Sequence, residues 1–162
     1  MQFVTGRFTE TFCKNTVYRF LSAAKTNWER FVLLLSERII NRTIRPLTGE
    51  DRKDVFIVDD TLFARTGGKK TELCSKVFDH VSMKSRRGYR LLTLGWSDGN
   101  SFLPIAGRLL ASSDDKNIIG PKKEVDKRSL AGKRRQQATS KAPDVMVEML
   151  NTALRAGHRA RY

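Results

Sequence analysis

Apolar residues recur at helical spacing through the first third of the chain, form short strand-like runs through the middle, and return to helical spacing near the end. Residues 1–14 carry little pattern. From Asn15 onward, Val17, Phe20, Leu21 and Ala24 mark one helix, which Asn15 or Thr16 can cap. Thr26, with Glu29 three residues later, has the form of a capping box for a second helix. Trp28, Phe31, Val32, Leu35, Ile39 and Ile40 give that helix one apolar face, and Pro46 ends it. A tight connection near Lys25 joins the pair. Arg19, Lys25, Arg30, Arg38, Arg42 and Arg45 lie on the polar side. They fit either the solvated face of an amphipathic bundle or part of a helix-turn-helix reader with Asn15–Leu21 in a groove.

The middle of the chain reads as a sheet. Val55 to Val58 is a continuous β-branched and aromatic run between the charged cluster Glu50–Lys53 and Gly67-Gly68, which predicts a strand buried on both faces. Asp59 and Asp60 close it. Carboxylates at the carboxyl end of a central strand are costly to bury and lie where sheet proteins place chemistry; the alternative is a solvated turn. Arg65 to Glu72 is a polar loop whose Gly67-Gly68-Lys69-Lys70 lacks the spacing of a phosphate-binding loop. Val77 to Val81 is a short strand, with Asp79 and His80 either reaching a site or paired on the surface. Tyr89–Trp96 and Phe102–Leu110 are strands joined across Ser97-Asp98-Gly99-Asn100, a hairpin turn. Pro104 lacks an amide donor, so its strand should lie at an edge or carry a bulge.

Residues 112–142 lose apolar content and gather Lys122, Lys123, Lys127, Arg128, Lys133, Arg134, Arg135 and Lys141, giving an extended or partly helical basic insert. Ala142-Pro143 opens a last helix with Asp144 in its first turn, Val147, Leu150 and Leu154 as its stripe, and Gly157 as its terminator.

Charge sharpens the picture. The chain has 162 residues, enough for one domain with a real core, and a net charge of +14, which favours a polyanionic partner, nucleic acid first. The longest apolar run, Phe31 to Leu35, is too short to cross a membrane, and the amino terminus lacks the features of a signal peptide. Cys13 and Cys74 are isolated, so neither a disulfide framework nor a zinc site is indicated and a reduced, cytoplasmic protein is expected.

Val58-Asp59-Asp60-Thr61, the segment Gly88 to Gly99, Ile105 to Leu110, Asp126-Lys127-Arg128 and the helix running to Ala160 together resemble bacterial insertion-sequence transposases of the DDE type, over roughly residues 14 to 162. The resemblance implies an α+β or α/β chain: N-terminal helices followed by a truncated ribonuclease H-like mixed sheet. It divides the chain into a helical region, 1–47, with possible DNA-binding helices, and the first part of a ribonuclease H-like domain, 48–162, carrying the basic insert at about 112–142. In that family three carboxylates hold two divalent metals, magnesium or manganese. These activate water or a DNA 3′-hydroxyl against a phosphodiester at the transposon end. By motif match Asp60 takes the place of the first catalytic, metal-binding aspartate, with Asp59 as its alternative because adjacent strand residues face opposite sides. DNA, as transposon ends and target, is the implied partner, with Arg19, Lys122, Lys123, Lys127, Arg128, Lys133, Arg134 and Arg135 as candidate phosphate contacts.

The sequence departs from that pattern at its end. The family's second aspartate lies on the strand after this last helix and its glutamate further on, whereas the sequence stops at Tyr162; Asp144 and Glu148 belong to the helix itself. The expectation is an amino-terminal portion of a transposase that neither cuts DNA alone nor holds the metal tightly. Its first strand would then show an open apolar edge prone to self-association, with marginal stability. Two alternatives stand beside it. One is a non-catalytic DNA-binding protein, such as a truncated regulator of transposition. The other is a metal-dependent phosphohydrolase using Asp59 and Asp60, which the missing D-x-D-x-T spacing disfavours.

Overall fold

The computed structural model describes residues 13–23, 26–49, 51–67 and 70–162. Helices α1 (Lys14–Leu21) and α2 (Trp28–Ile39) lead into strands β1 (Val55–Ala64), β2 (Ser75–Asp79), β3 (Lys84–Ser97) and β4 (Phe102–Leu110), followed by α3 (Leu130–Ala138) and α4 (Ala142–Arg155). The fold is α+β, and every strand pair in the sheet is antiparallel. The connection predicted at Lys25, and the Gly68 and Lys69 positions of the basic loop, lie outside the described residues.

Strand β3 is the axis of the sheet. Its second part, from Gly88 to Ser97, pairs with β1 along one side, Asp60 facing Leu92. Its other side pairs with β2 over Lys84–Gly88 and with β4 over Arg90–Ser97, so β2 and β4 follow one another along a single edge. The amide of Ser112, just past β4, donates to the hydroxyl of Ser75 at the start of β2 and joins the two. The β3–β4 hairpin follows its prediction closely. Gly99 takes a φ of +89°, where only glycine is unstrained, and the Asp98 carboxylate accepts from the Asn100 and Ser101 amides. The register slips beside Pro104, the bulge expected of a residue without an amide donor.

One face of the sheet carries the core. Leu92, Leu94 and Trp96 alternate inward from β3 and meet Leu33 and Ile40 from the α2 segment and Val145, Met149 and Ala153 from α4. Each large side chain buried there stabilises the fold by about 2 kcal/mol. The opposite face leaves Ile57, Phe102 and Leu109 substantially exposed.

Several expectations need correction. Strand β1 is not buried on both faces: it lies at the edge of the sheet, Ile57 is 39% exposed on the face without covering helices, and Val58, on the helix side but outside the packed core, is 43% exposed. It also runs on to Ala64, so Asp59 and Asp60 sit within the strand rather than at its end. Cys13, not Asn15 or Thr16, precedes α1, which has no buried residue. Asn27, not Thr26, caps α2 by accepting from the Arg30 amide. The inward face of α2 is Leu33, Ser36 and, one turn on, Ile40, while Phe31 and Leu35 are exposed. In α4 the inward stripe is Val145, Met149 and Ala153 rather than Val147, Leu150 and Leu154. Gly157 terminates α4 as expected, at φ +99°.

The last residues return to the start of β1. The Tyr162 amide donates to the Asp54 carbonyl (3.3 Å) and the Phe56 amide donates to the Tyr162 carbonyl (2.8 Å), the bonding pattern of a parallel pair centred on Val55. Arg45 supports this corner by donating to both the Asp54 carboxylate and the Arg159 carbonyl.

Candidate active site

Alternation along β1 separates the two adjacent carboxylates. Asp60 shares the helix-covered side of the sheet with Val58 and Leu62, and Asp59 turns to the other side, where its carboxylate accepts from the Thr61 hydroxyl. Asp60 lies beyond the edge of the packed core, in an open cleft of about 1220 Å³. Its floor is β1 and β3. One wall is β2, with Lys76, Phe78, Asp79 and His80; the other is the Ser112–Ser113 turn and the entry of α4 at Lys141, Ala142 and Pro143.

Arg90 holds Asp60. Register places Arg90 opposite Leu62, diagonal to Asp60 on the same face, and its guanidinium engages both carboxylate oxygens, Nε at 3.2 Å from Oδ1 and Nη2 closer still on Oδ2. Both side chains remain partly exposed, so the pair contributes under about 1 kcal/mol to stability. Its effect is local: it neutralises and orients the one carboxylate on the cleft floor. Asp79 on the wall is committed elsewhere. It accepts from the Ser82 hydroxyl (2.6 Å), the Val81 amide and Arg86, and these bonds, the Ser82 hydroxyl foremost, hold its carboxyl below the ordinary range. His80 stands edge-on to Phe78 with ring centroids 5.1 Å apart. The amino-terminal end of α4 opens on the cleft beside Lys141, and its partial positive charge adds to that of Lys76 and Arg90. The chemistry suits a phosphate chain laid over a carboxylate.

The metal expectation can be tested on the donors themselves. Asp60 offers hard oxygen, but Arg90 occupies both of its oxygens, and no group of three or more His, Cys, Asp or Glu side chains among the described residues could hold an ion. These residues therefore do not make a closed metal site.

The predicted phosphate contacts separate into two sets. Arg19 on α1 and Lys123, Lys127, Arg128 and Lys133 in the basic insert are exposed. The other three are ion-paired: Lys122, itself exposed, pairs with the exposed Asp115 (2.5 Å), while the half-buried Arg135 grips both oxygens of Glu72 and the half-buried Arg134 pairs with Glu29. Glu29 also receives Arg108, whose side chain is only 6% exposed. Burial, then the neighbouring Arg134, lowers the Arg108 pKa to about 10. The Glu29 bridge thus ties α2 to β4 and α3. Sequence reasoning gives no site role to Arg90 or Lys76 and names Lys141 only as part of the basic insert. Register across β1 and β3 brings Arg90 to Asp60, and the signal lay in counting back along Tyr89–Trp96 from the hairpin turn.

Residues 7–162 match the family model described as DDE superfamily endonuclease. No curated protein and no solved structure matches the chain. DDE endonucleases act on DNA and generally use divalent metal ions. No helix among the described residues is long and apolar enough to cross a membrane.

Proposed function

The chain belongs to the DDE superfamily endonucleases, and from that premise we propose that it acts on DNA at transposon ends, with Asp60 as the acidic residue at the scissile phosphodiester. The observation that carries this reading is the placement of Asp60, and not Asp59, on the floor of a cleft whose rim is basic. Exposed Lys123, Lys127, Arg128, Lys133 and Arg19 would bind the flanking backbone. Lys122, Arg134 and Arg135 would add to the field while bound to their carboxylates. Residues 1–47 would act as a helical region ahead of the catalytic domain, 48–162, and the outer edge of β1 as a place for self-association. Magnesium or manganese is the metal in this reading, but with Asp60 paired to Arg90 and no cluster of further acidic or histidine ligands, the described residues supply no cage for it. On their own these residues would therefore seat the scissile phosphodiester without cutting it, binding without cleavage.

A second reading, a non-catalytic regulator that occupies transposon ends, is favoured by the Arg90–Asp60 pair, which engages both oxygens of the carboxylate on the cleft floor. A titration of duplex DNA across salt tests the shared part. The logarithm of affinity should fall linearly with the logarithm of salt, by about 0.9 for each phosphate contacted. Affinity independent of salt would remove both readings. Incision of supercoiled DNA in manganese that is lost in Asp60→Asn and kept in Asp59→Asn would refute the assignment of binding without cleavage and reject the regulator.

A further inference from the structure

The hairpin formed by β2 and the first part of β3 has a feature that folding does not explain. Its root is packed: Cys74 and Ser75 are fully buried and Val77 nearly so. Its tip is bare. Val81 is 95% exposed and Met83 69% exposed, and Met83 holds a left-handed φ of +53° that a long side chain adopts only at a cost. This turn is braced, because Asp79 accepts from the Val81 amide, the Ser82 hydroxyl and Arg86 at once. Two apolar side chains are thus held out in solvent by a turn tied together at Asp79. The ribbon below them carries Lys76, Lys84, Arg86 and Arg87, and its one acid, Asp79, is consumed in bracing the turn. From Gly88 to Met83 the arm reaches about 17 Å at strand rise, roughly twice the depth of a DNA groove. The same hairpin is a wall of the Asp60 cleft.

We propose that the β2–β3 hairpin is a DNA-engaging finger whose tip residues Val81 and Met83 wedge between base pairs beside the phosphodiester at Asp60. This rests on the nucleic-acid reading above. Basic strands would follow the backbone while the apolar tip partly unstacks a base step, the means by which side chains of this kind open and kink a duplex. A strand loosened in this way is easier to lay across the floor of the cleft.

The test uses the full chain and a duplex oligonucleotide carrying several 2-aminopurine bases, whose fluorescence rises on unstacking. Wild type should bind and raise the fluorescence. The pair Val81→Ser with Met83→Ser, at exposed positions the fold tolerates, should weaken duplex binding by about tenfold and abolish the rise. Val81→Leu with Met83→Leu should restore both, and circular dichroism should show all three folded alike. Binding by wild type with no fluorescence rise, or serine variants equal to wild type, overturns the finger and leaves the DNA reading intact. A serine pair that alters only sedimentation makes the tip a self-association contact and likewise overturns it. No binding by wild type overturns both.

Discussion

Replacing Glu29 by glutamine isolates a buried charge. In the native chain one carboxylate, itself largely covered, faces the guanidinium groups of Arg108 and Arg134. Arg108 is nearly inaccessible to water, its Nε has no hydrogen-bond partner, and burial already lowers its affinity for its proton. Glutamine keeps the shape but removes the charge, leaving a buried cation without its ion-pair partner beside a second cation, with only the field of Glu148 to oppose them. Breaking a buried pair on one side costs about 3–5 kcal/mol. Arg134 is less enclosed, so the lower end, about 3 kcal/mol, is the expectation. For a domain of this size that is a fall in thermal midpoint of roughly 6–12 °C. Urea unfolding followed by circular dichroism reads it directly. The companion variant, Glu29→Leu with Arg108→Met, removes both charges and should recover most of the loss, because the cost lies in the stranded charge. A loss below about 1 kcal/mol for Glu29→Gln, or a double variant as unstable as the single one, would refute the reasoning.

His158 sets a pH dependence. Its Nε2 meets the Ser36 hydroxyl at 3.0 Å and its Nδ1 the Ala153 carbonyl at 3.1 Å, and burial holds the imidazole below its ordinary value despite that carbonyl. The unfolded chain therefore binds a proton near pH ~6.5 that the folded chain refuses, so stability is complete above that value and declines as pH falls toward the lower folded value. Urea midpoints should drop with acid in wild type and drop less steeply in His158→Gln; identical slopes would remove the assignment. Gly157→Ala should cost about 1 kcal/mol from its φ of +99°, since the added methyl would have only ordinary contact with Glu37 at 3.5 Å. A neutral substitution, by chemical denaturation, would count against the left-handed cap. Met149→Ala, at a fully enclosed core position, should lose about 3 kcal/mol on the same assay, and a loss under 1 would mean α4 is not seated as described.

The hairpin was readable because its information is local: alternation in Phe102–Leu110, a turn sequence, and a proline that demands a bulge. The ends of α4 were readable for the same reason, with Pro143 at its start and Gly157 past its end. Which face a helix buries was not. Phe31 to Leu35 is apolar on every side, so periodicity alone cannot choose, and the choice falls to Leu33 and Ser36, the latter through its bond to His158. In α4 the small Ala153 lies inward where Leu154 was expected, allowing close approach to the sheet. For β1, a run of apolar residues looks alike in a central strand and in an edge strand. At the site, strand alternation could separate Asp59 from Asp60 but could not say which faced the cleft. Arg90 needed the register between β1 and β3.

The face assignment is open to one direct measurement, the affinity of metal-free protein for duplex DNA at low salt in Asp60→Asn and Asp59→Asn. Removing the charge on the cleft floor lifts its repulsion of a bound phosphate and releases Arg90, so Asp60→Asn should tighten binding by about fivefold. Asp59→Asn, on the other side of the sheet, should change it little. Equal effects of the two, or tightening by Asp59→Asn alone, would contradict a DNA path through the Asp60 cleft.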